Sequence, residues 1–259
     1  MSQLAEKNIL DPVTETGEGN TDTSVAYESI DDAATATATL PNFVMPFEYA
    51  EDEVHPVENI GEIKNKPFYS FVKRTFDIFA SFFGLLLMAL PMVVIAIAIK
   101  CDSKGKVFYS QERLGLNGKK FMLVKFRSMR ADAEKGGAKW SDGDNDNRIT
   151  RVGRFLRKTR LDELPQLWGC LIGTLSLIGP RPEREVFYNE FEKHVPGFRQ
   201  RLLVKPGLTG LAQVSGGYNL RPEEKIVYDI EYIKNRSIWL DIKILFKTVK
   251  VVFSHDGAK

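Results

Sequence analysis

Asp162 and Glu163 stand side by side in Leu161-Asp162-Glu163-Leu164-Pro165, with Arg157 and Arg160 just before them and Arg181 after them. Neighbouring residues on a helix project about 100° apart, so these carboxylates do not share one proton as two facing aspartates do. They suit different tasks, one as a nucleophile and the other as a metal ligand. Guanidinium forks match phosphate oxygens two at a time. Arg181 lies between Pro180 and Pro182, so it is held stiffly and little freedom is lost when it binds. Carboxylates and convergent arginines beside a membrane surface point to phosphoryl transfer involving a lipid phosphate. The competing account is a surface salt-bridge cluster around an ordinary helix cap.

The elements that must position these groups are legible in outline. Arg151 to Lys158 has Val152, Phe155 and Leu156 on one face and basic residues elsewhere, a pattern that suits a helix among lipid headgroups. A second helix is expected from near Asp162 to about Ile172, with Pro165 tolerated in its first turn. Asp162 would then sit at a helix start, where backbone N–H groups favour an anion and welcome phosphate. Upstream, Val107 to Arg130 reads as a β-hairpin around Asn117-Gly118, two residues that tolerate positive φ. Residues 131–148 are polar and loop-like. Asp142, Asp144 and Asp146 alternate there, but no glutamate follows at the spacing a calcium loop needs. Pro180 to Pro182 is an extended segment, and Pro206-Gly207 with Gly210 marks a turn. Ile238 to Phe253 mixes Trp239 and aliphatic residues with lysines that can snorkel, and is expected to be an interfacial helix.

Ile78 to Ile99 is an uncharged run of 22 residues containing Pro91. At about 1.5 Å per residue it is long enough to cross a bilayer. Both flanks are basic: Lys73 and Arg74 before it, Lys100, Lys104 and Lys106 after it. Basic flanks prefer the cytosolic side. A re-entrant helix–break–helix satisfies both flanks at one face, with Pro91 supplying the bend. A proline-kinked single span is the alternative.

Charge divides the 259-residue chain. Residues 1–63 carry 14 acidic side chains and one lysine; the rest carry 35 basic and 20 acidic side chains. The first segment lacks sustained apolar periodicity and reads as a disordered acidic tail, either a solvated spacer or a docking arm. It lacks the basic start and apolar core of a secretory signal. Two cysteines, Cys101 and Cys170, make a disulfide framework or a structural zinc site a poor expectation. Nucleic-acid binding is disfavoured by the apolar run and by the lack of aromatic stacking motifs.

The stretch from Thr150 through Leu167, Ser176-Leu177-Ile178-Gly179-Pro180-Arg181-Pro182, Lys125-Phe126-Arg127-Ser128-Met129, Lys205-Pro206-Gly207-Leu208-Thr209-Gly210-Leu211-Ala212-Gln213 and Trp239-Leu240-Asp241 resembles the bacterial sugar transferases, the monotopic phosphoglycosyl transferases. The resemblance runs from about Lys73 to Phe253. It implies transfer of sugar 1-phosphate from a UDP-sugar to undecaprenyl (polyprenyl) phosphate with release of UMP, the first membrane step of exopolysaccharide, capsule or glycoconjugate synthesis. It also implies Asp162 as nucleophile of a phospho-aspartyl intermediate, Glu163 as a Mg²⁺ ligand, and Arg157 and Arg181 as phosphate contacts. Galactose and glucose phosphates are the family's frequent cargo.

Departures accompany it. Gly173-Thr174-Leu175-Ser176 stands where members commonly have Gly-Asp-Met-Ser. Gly217-Tyr218-Asn219 stands where many have Gly-Arg-Asn, with Arg221 as candidate substitute. Arg160 replaces a usual small residue.

The expected fold is α+β and mainly helical. It comprises an acidic tail (1–63), a basic-flanked membrane anchor (64–105, marked by Lys73, Arg74 and Pro91) and a membrane-associated cytosolic domain (106–259) with a small β-hairpin and interfacial amphipathic helices. The expected location is the cytosolic face of a bacterial inner membrane. Expected partners are polyprenyl phosphate, a UDP-sugar and membrane lipid, with no nucleic acid. Polysaccharide assembly proteins reached through the tail and a second copy of the chain are further candidates. A catalytically silent membrane adaptor is the rival class; retention of both Asp162 and Glu163 argues against it.

Overall fold

The computed structural model describes residues 49–50, 53–133, 146–216 and 220–254. Asp142 and Asp144, the segment Gly217-Tyr218-Asn219 and the tail before Tyr49 lie outside them. Helix α1 (Pro67–Asp102) is followed by β1 (Phe108–Leu114), β2 (Lys120–Phe126), α2 (Arg151–Thr159), α3 (Gln166–Ile172), β3 (Ser176–Ile178), α4 (Glu185–His194), β4 (Gly207–Thr209), α5 (Leu211–Ser215), α6 (Pro222–Asn235) and α7 (Ile238–Ser254). The fold is mainly helical with a small hairpin sheet, as expected, and a second two-stranded sheet besides.

The apolar run is one uninterrupted helix of 36 residues, about 54 Å along its axis at ordinary rise. This differs from the expected helix–break–helix: the helix continues through Pro91. Proline removes one hydrogen bond and crowds one carbonyl, and the flanking apolar turns carry the helix across that defect. One stripe, Asp77, Ser81, Ile95 and Ile99, is buried, whereas Phe79, Phe83, Leu86, Leu87, Leu90, Val93 and Val94 are exposed. Both ends are tied to the domain. At the start, Lys73 pairs with Asp241 of α7 at 2.9 Å, and Arg74 donates to the carbonyls of Cys170 and Leu171 at 2.6 and 2.7 Å. These are the open carbonyls at the end of α3. At the far end, buried Arg127 donates to the carbonyls of Ser103 and Lys104 at 2.8 and 2.9 Å.

The hairpin forms where the sequence places it. β1 and β2 pair antiparallel from Phe108↔Phe126 to Leu114↔Lys120. Asn117 and Gly118 take φ of 54° and 73°. A second sheet goes unanticipated: β3 and β4 pair in parallel, with Ser176↔Gly207 and Ile178↔Thr209. The strands cross so closely that a Cβ on Gly207 would lie 2.1 Å from the Gly179 nitrogen.

The core gathers α4, α6 and the 3-10 segment Phe198–Leu203 around Phe187, Tyr188, Phe191, Phe198 and Ile226. A neighbouring cluster joins Ile178, Tyr232, Ile233 and Ile244. Part of the expected tail belongs here. The His55 and Val57 amides donate to the carbonyls of His194 and Pro196 at 2.7 and 2.9 Å. Val57, Ile60 and Ile63 pack on the two clusters. Three apolar side chains suffice to hold this strand-like strap, although acidic neighbours mask them in composition. The docked chain therefore begins before residue 64.

Gly207→Ala is expected to destabilise the protein by about 2–3 kcal/mol, since the added methyl meets backbone that cannot yield. The measurement is the denaturation midpoint of the detergent-solubilised protein; an unchanged midpoint contradicts the close crossing.

Candidate active site

Helix α2 opens on Thr150, whose hydroxyl accepts the Gly153 N–H at 3.0 Å. It closes on Arg160, which has a left-handed φ of 57°. A non-glycine residue there stores on the order of 1 kcal/mol of strain. The reversal sends Leu161–Glu163 into a single 3-10 turn before α3 begins at Gln166. The expectation that Asp162 starts an α-helix is thus corrected: Pro165 holds the helix start and Asp162 lies upstream in the turn. Leu161 and Leu164 pack against the cluster formed by Ile95 and Ile99 of α1 with Phe126 and Leu156, and Asp162 is buried.

Two distant segments close on the carboxylate pair. Lys125 of β2 donates to Glu163 Oε1 at 2.8 Å. Arg181, from the proline-bounded segment, donates a short bond to the same oxygen and a longer one, 3.4 Å, to Oε2. Burial pushes the Asp162 carboxyl up to about 6; Lys125 opposes the rise, the adjacent Glu163 charge adds to it, and Arg181 and Arg157 pull it back. Burial would raise Glu163 as well, but Arg181 and Lys125 outweigh it and hold that carboxyl well below the usual range. Adjacent carboxylates with proton affinities driven apart by their surroundings are equipped for separate roles. Burial also lowers the Lys125 pKa, against the pull of Glu163.

The segment bearing Arg181 is itself clamped. Arg113 of β1 donates to the Pro182 carbonyl at 3.3 Å and to Glu183 at 3.1 Å, and Lys225 of α6 reaches the other Glu183 oxygen at 3.3 Å.

Asp162, Glu163, Arg181 and Arg157 are therefore brought into mutual electrostatic reach. Arg160 enters through its backbone, as the hinge of the turn. Arg221 is placed differently: it starts α6, pairs with Glu223 at 2.7 Å and lies 4.9 Å from the Tyr49 ring. Lys125 went unassigned in sequence. Strand alternation offered the signal, because it puts Lys125 on the face of buried Leu123. An inward lysine needs a carboxylate.

Glu163 and Asp162 are the carboxylates that would hold a Mg²⁺ ion; no cluster of three or more metal-ligating side chains forms among the described residues. Such an ion takes one or two carboxylates, with phosphate oxygens and water completing its shell. Glu163 Oε2 accepts only the long Arg181 contact among its described hydrogen bonds, which leaves room for a further bond.

A helix long and apolar enough to cross a membrane is bound at both ends to a small, mainly helical domain, in which buried Asp162 adjoins a Glu163 gripped by lysine and arginine from separate motifs. The chain belongs to the bacterial sugar transferase family, whose model matches residues 68–255. It is 41% identical over 211 residues to a UDP-N-acetylgalactosamine-undecaprenyl-phosphate N-acetylgalactosaminephosphotransferase of Aeromonas hydrophila, covering 80% of this chain and 49% of that protein. It is 40% identical over 210 residues to a UDP-glucose:undecaprenyl-phosphate glucose-1-phosphate transferase of Xanthomonas campestris pv. campestris, covering 78% and 43%. It is 41% identical over 202 residues to an undecaprenyl-phosphate galactose phosphotransferase of Salmonella typhimurium, covering 73% and 42%. The chain thus spans less than half the length of these relatives.

Glu183 provides a pH test of the clamp. Burial would raise its pKa, but Lys225, Arg113, Arg201 and Arg181 hold it at about 2, below its ordinary 4.5. A depressed carboxylate stabilises the fold above its unfolded pKa, and the contribution is lost as pH falls from about 4.5 toward about 2. About 3 kcal/mol is at stake. Glu183→Gln should be clearly less stable than the parent at pH 7, with the gap closing at acid pH; a constant gap in denaturation midpoints contradicts the assignment.

Proposed function

We propose that this protein transfers sugar 1-phosphate from a UDP-sugar to undecaprenyl (polyprenyl) phosphate, releasing UMP, as an initiating step of surface polysaccharide or glycoconjugate synthesis. The observation that carries the reading is the Asp162–Glu163 pair, differently protonatable and fastened by Lys125 and Arg181. Relatives named for this reaction with different sugars support it.

In the proposed cycle an Asp162 carboxylate oxygen attacks the phosphorus attached to the sugar. The bond from that phosphorus to the bridging oxygen breaks, and UMP leaves with the electron pair. An oxygen of the lipid phosphate then attacks the same phosphorus and frees Asp162 as carboxylate. Two steps let the nucleotide depart before the second polyanion arrives. Arg181, Lys125 and Arg157 supply fixed positive charge where phosphate charge moves. Mg²⁺, held by Glu163 with Asp162 close by, would neutralise phosphate charge and orient its oxygens.

Both ends of α1 are assigned to the cytosolic face. Both basic flanks are bound to one domain, Lys73 and Arg74 through α7 and α3, and the chain after Asp102 through Arg127. A helix that carried its two ends to opposite sides of a bilayer would break one of these attachments. With both ends held to the domain, the exposed apolar face of α1 would lie in one leaflet, which would put Asp162 near the height of the lipid phosphate. Exposed Trp239 and Phe246 of α7 and Phe155 of α2 suit the same headgroup layer.

Asp162→Asn is expected to cut turnover by at least about 10³-fold while the protein still partitions into membranes. The assay is UMP release from a panel of UDP-sugars with polyprenyl phosphate and Mg²⁺. Quenched mid-reaction, the parent should carry the sugar phosphate on Asp162; label on another side chain, or on none, overturns the nucleophile assignment. For topology, a membrane-impermeant maleimide should label native Cys101 and a Lys64→Cys variant from the same face of oriented vesicles. Opposite-face labelling would require a spanning anchor.

A further inference from the structure

Arg201 lies in the 3-10 segment Phe198–Leu203 and is 2% exposed. Its Nε donates to Asp229 Oδ2 on α6 at 2.6 Å, and Asp229 is equally buried. The guanidinium sits 4.7 Å from the centre of the Phe198 ring. A buried ion pair is costly to desolvate, and well-packed apolar residues often serve stability as well or better. The pair therefore calls for an explanation beyond cohesion. The explanation is where its second arm points: Arg201 Nη2 donates to the main-chain carbonyl of Arg181 at 2.8 Å.

That carbonyl belongs to the residue whose guanidinium holds Glu163. The segment around it cannot secure itself by an ordinary ladder, because Pro180 and Pro182 lack N–H groups. Its three consecutive carbonyls are held from outside. The Pro180 carbonyl accepts the Gly207 N–H at 2.9 Å, the Arg181 carbonyl accepts Arg201, and the Pro182 carbonyl accepts Arg113. Of these, the Arg201 bond acts directly on the residue that reaches into the site. Asp229 fixes its donor, and Lys225, one turn earlier on α6, fixes Glu183 at the other end of the segment.

We propose that Arg201 and Asp229 are positioning residues for the transfer reaction: as a buried couple they set the placement of Arg181, and through it the grip on Glu163 and on substrate phosphate. This rests on the function proposed above. Neither residue touches substrate. A displacement of about 1 Å at a charged contact is enough to slow such chemistry by about 10²-fold. Lysine at 201 keeps the charge but lacks the fork needed to serve Asp229 and the Arg181 carbonyl together.

The test is a double-mutant cycle on transfer rate with Arg201→Lys, Asp229→Asn and the conservative Arg181→Lys. Arg201→Lys should lower kcat by about tenfold or more with a change in KM for the UDP-sugar of less than about threefold. In the Arg181→Lys background it should cost less than about twofold, because the residue it positions is already gone. Losses that multiply in the double variant, or an Arg201→Lys enzyme within about twofold of the parent, overturn the proposal. Asp229→Asn is the gentler probe where Arg201→Lys fails to fold, since its amide oxygen still accepts from Arg201, and the same non-additivity is expected. A second readout needs no turnover. The Arg181 Nε–Hε proton, assigned by its loss in Arg181→Lys, should give a slowly exchanging NMR signal in the parent and lose that protection in Arg201→Lys. If the parent transfers no sugar phosphate, the functional reading fails while this arm still decides the positioning role: retained protection in Arg201→Lys rejects it.

Discussion

The bonds from Lys125 and Arg181 to Glu163 are the constraint around which the domain is organised. A buried carboxylate is expensive to desolvate, and removing one partner from such a cluster costs about 3–5 kcal/mol. The two cations come from places far apart in the chain, a hairpin strand and an irregular proline-rich segment. Neither can drift without leaving charge uncompensated in the interior. The β1–β2 sheet is accordingly wedged against the turn that carries Asp162, and the Arg181 segment is laced to β1, β4 and α6 through its carbonyls and Glu183. Asp162 benefits indirectly. With Glu163 neutralised by its partners, the cluster tolerates a second carboxylate beside it, and Lys125, Arg181 and Arg157 oppose the rise in proton affinity that burial gives Asp162.

The long helix is governed by a different balance. Its outer face is too apolar for water, yet Asp77 on its inner face is buried and accepts the Leu177 N–H at 3.0 Å. Asp241 at its side gathers Lys73, Tyr69 and Tyr232. A helix surrounded by lipid has no use for these contacts. The polar inner stripe and apolar outer face together describe an element that packs on the protein along one side and leaves an apolar face uncovered on the other. The same polar stripe connects α1 to the candidate site: Asp77 bonds to β3, whose following residues lead directly into Pro180 and Arg181.

Local signals made the hairpin, α2 and α7 readable. Asn117-Gly118 fixes a turn by backbone sterics alone, and Val152 and Leu156 share the inward face of α2 as their spacing implies, whereas Phe155, expected with them, is exposed. What stayed hidden depends on contacts between distant residues. The β3–β4 pair is made of three-residue strands whose closeness follows from Gly179 meeting Gly207, a fact with no local periodicity. Docking of residues 53–63 rests on Val57, Ile60 and Ile63, too few to register against their acidic neighbours. Pro91 was read as a break because local sterics oppose a helix there; one lost hydrogen bond proved small against the helical preference of the turns on both sides. Arg221 was matched by sequence proximity to a missing arginine, whereas its role in starting α6 turns it toward Glu223 and Tyr49.

Under the proposed reaction the site receives two anionic substrates in succession, and the resident carboxylate bears on how it does so. A cluster built only of cations would bind the first phosphate tightly and release its product slowly, since uniform binding lowers KM without raising turnover. Here Glu163 occupies the cations between encounters, so an incoming phosphate competes with a resident carboxylate instead of meeting bare charge. In the proposed reaction the net gain in binding is modest, and the fixed positive field is kept for the moment when charge builds on the bridging oxygen that leaves with the nucleotide. Lys125 and Arg181 are thereby oriented before substrate arrives and need no ordering at the transition state. Their orientation is inherited from the hairpin on one side and from the clamped Pro180–Glu183 segment on the other, which is why rigidity in parts of the fold that touch no substrate is a condition of the chemistry.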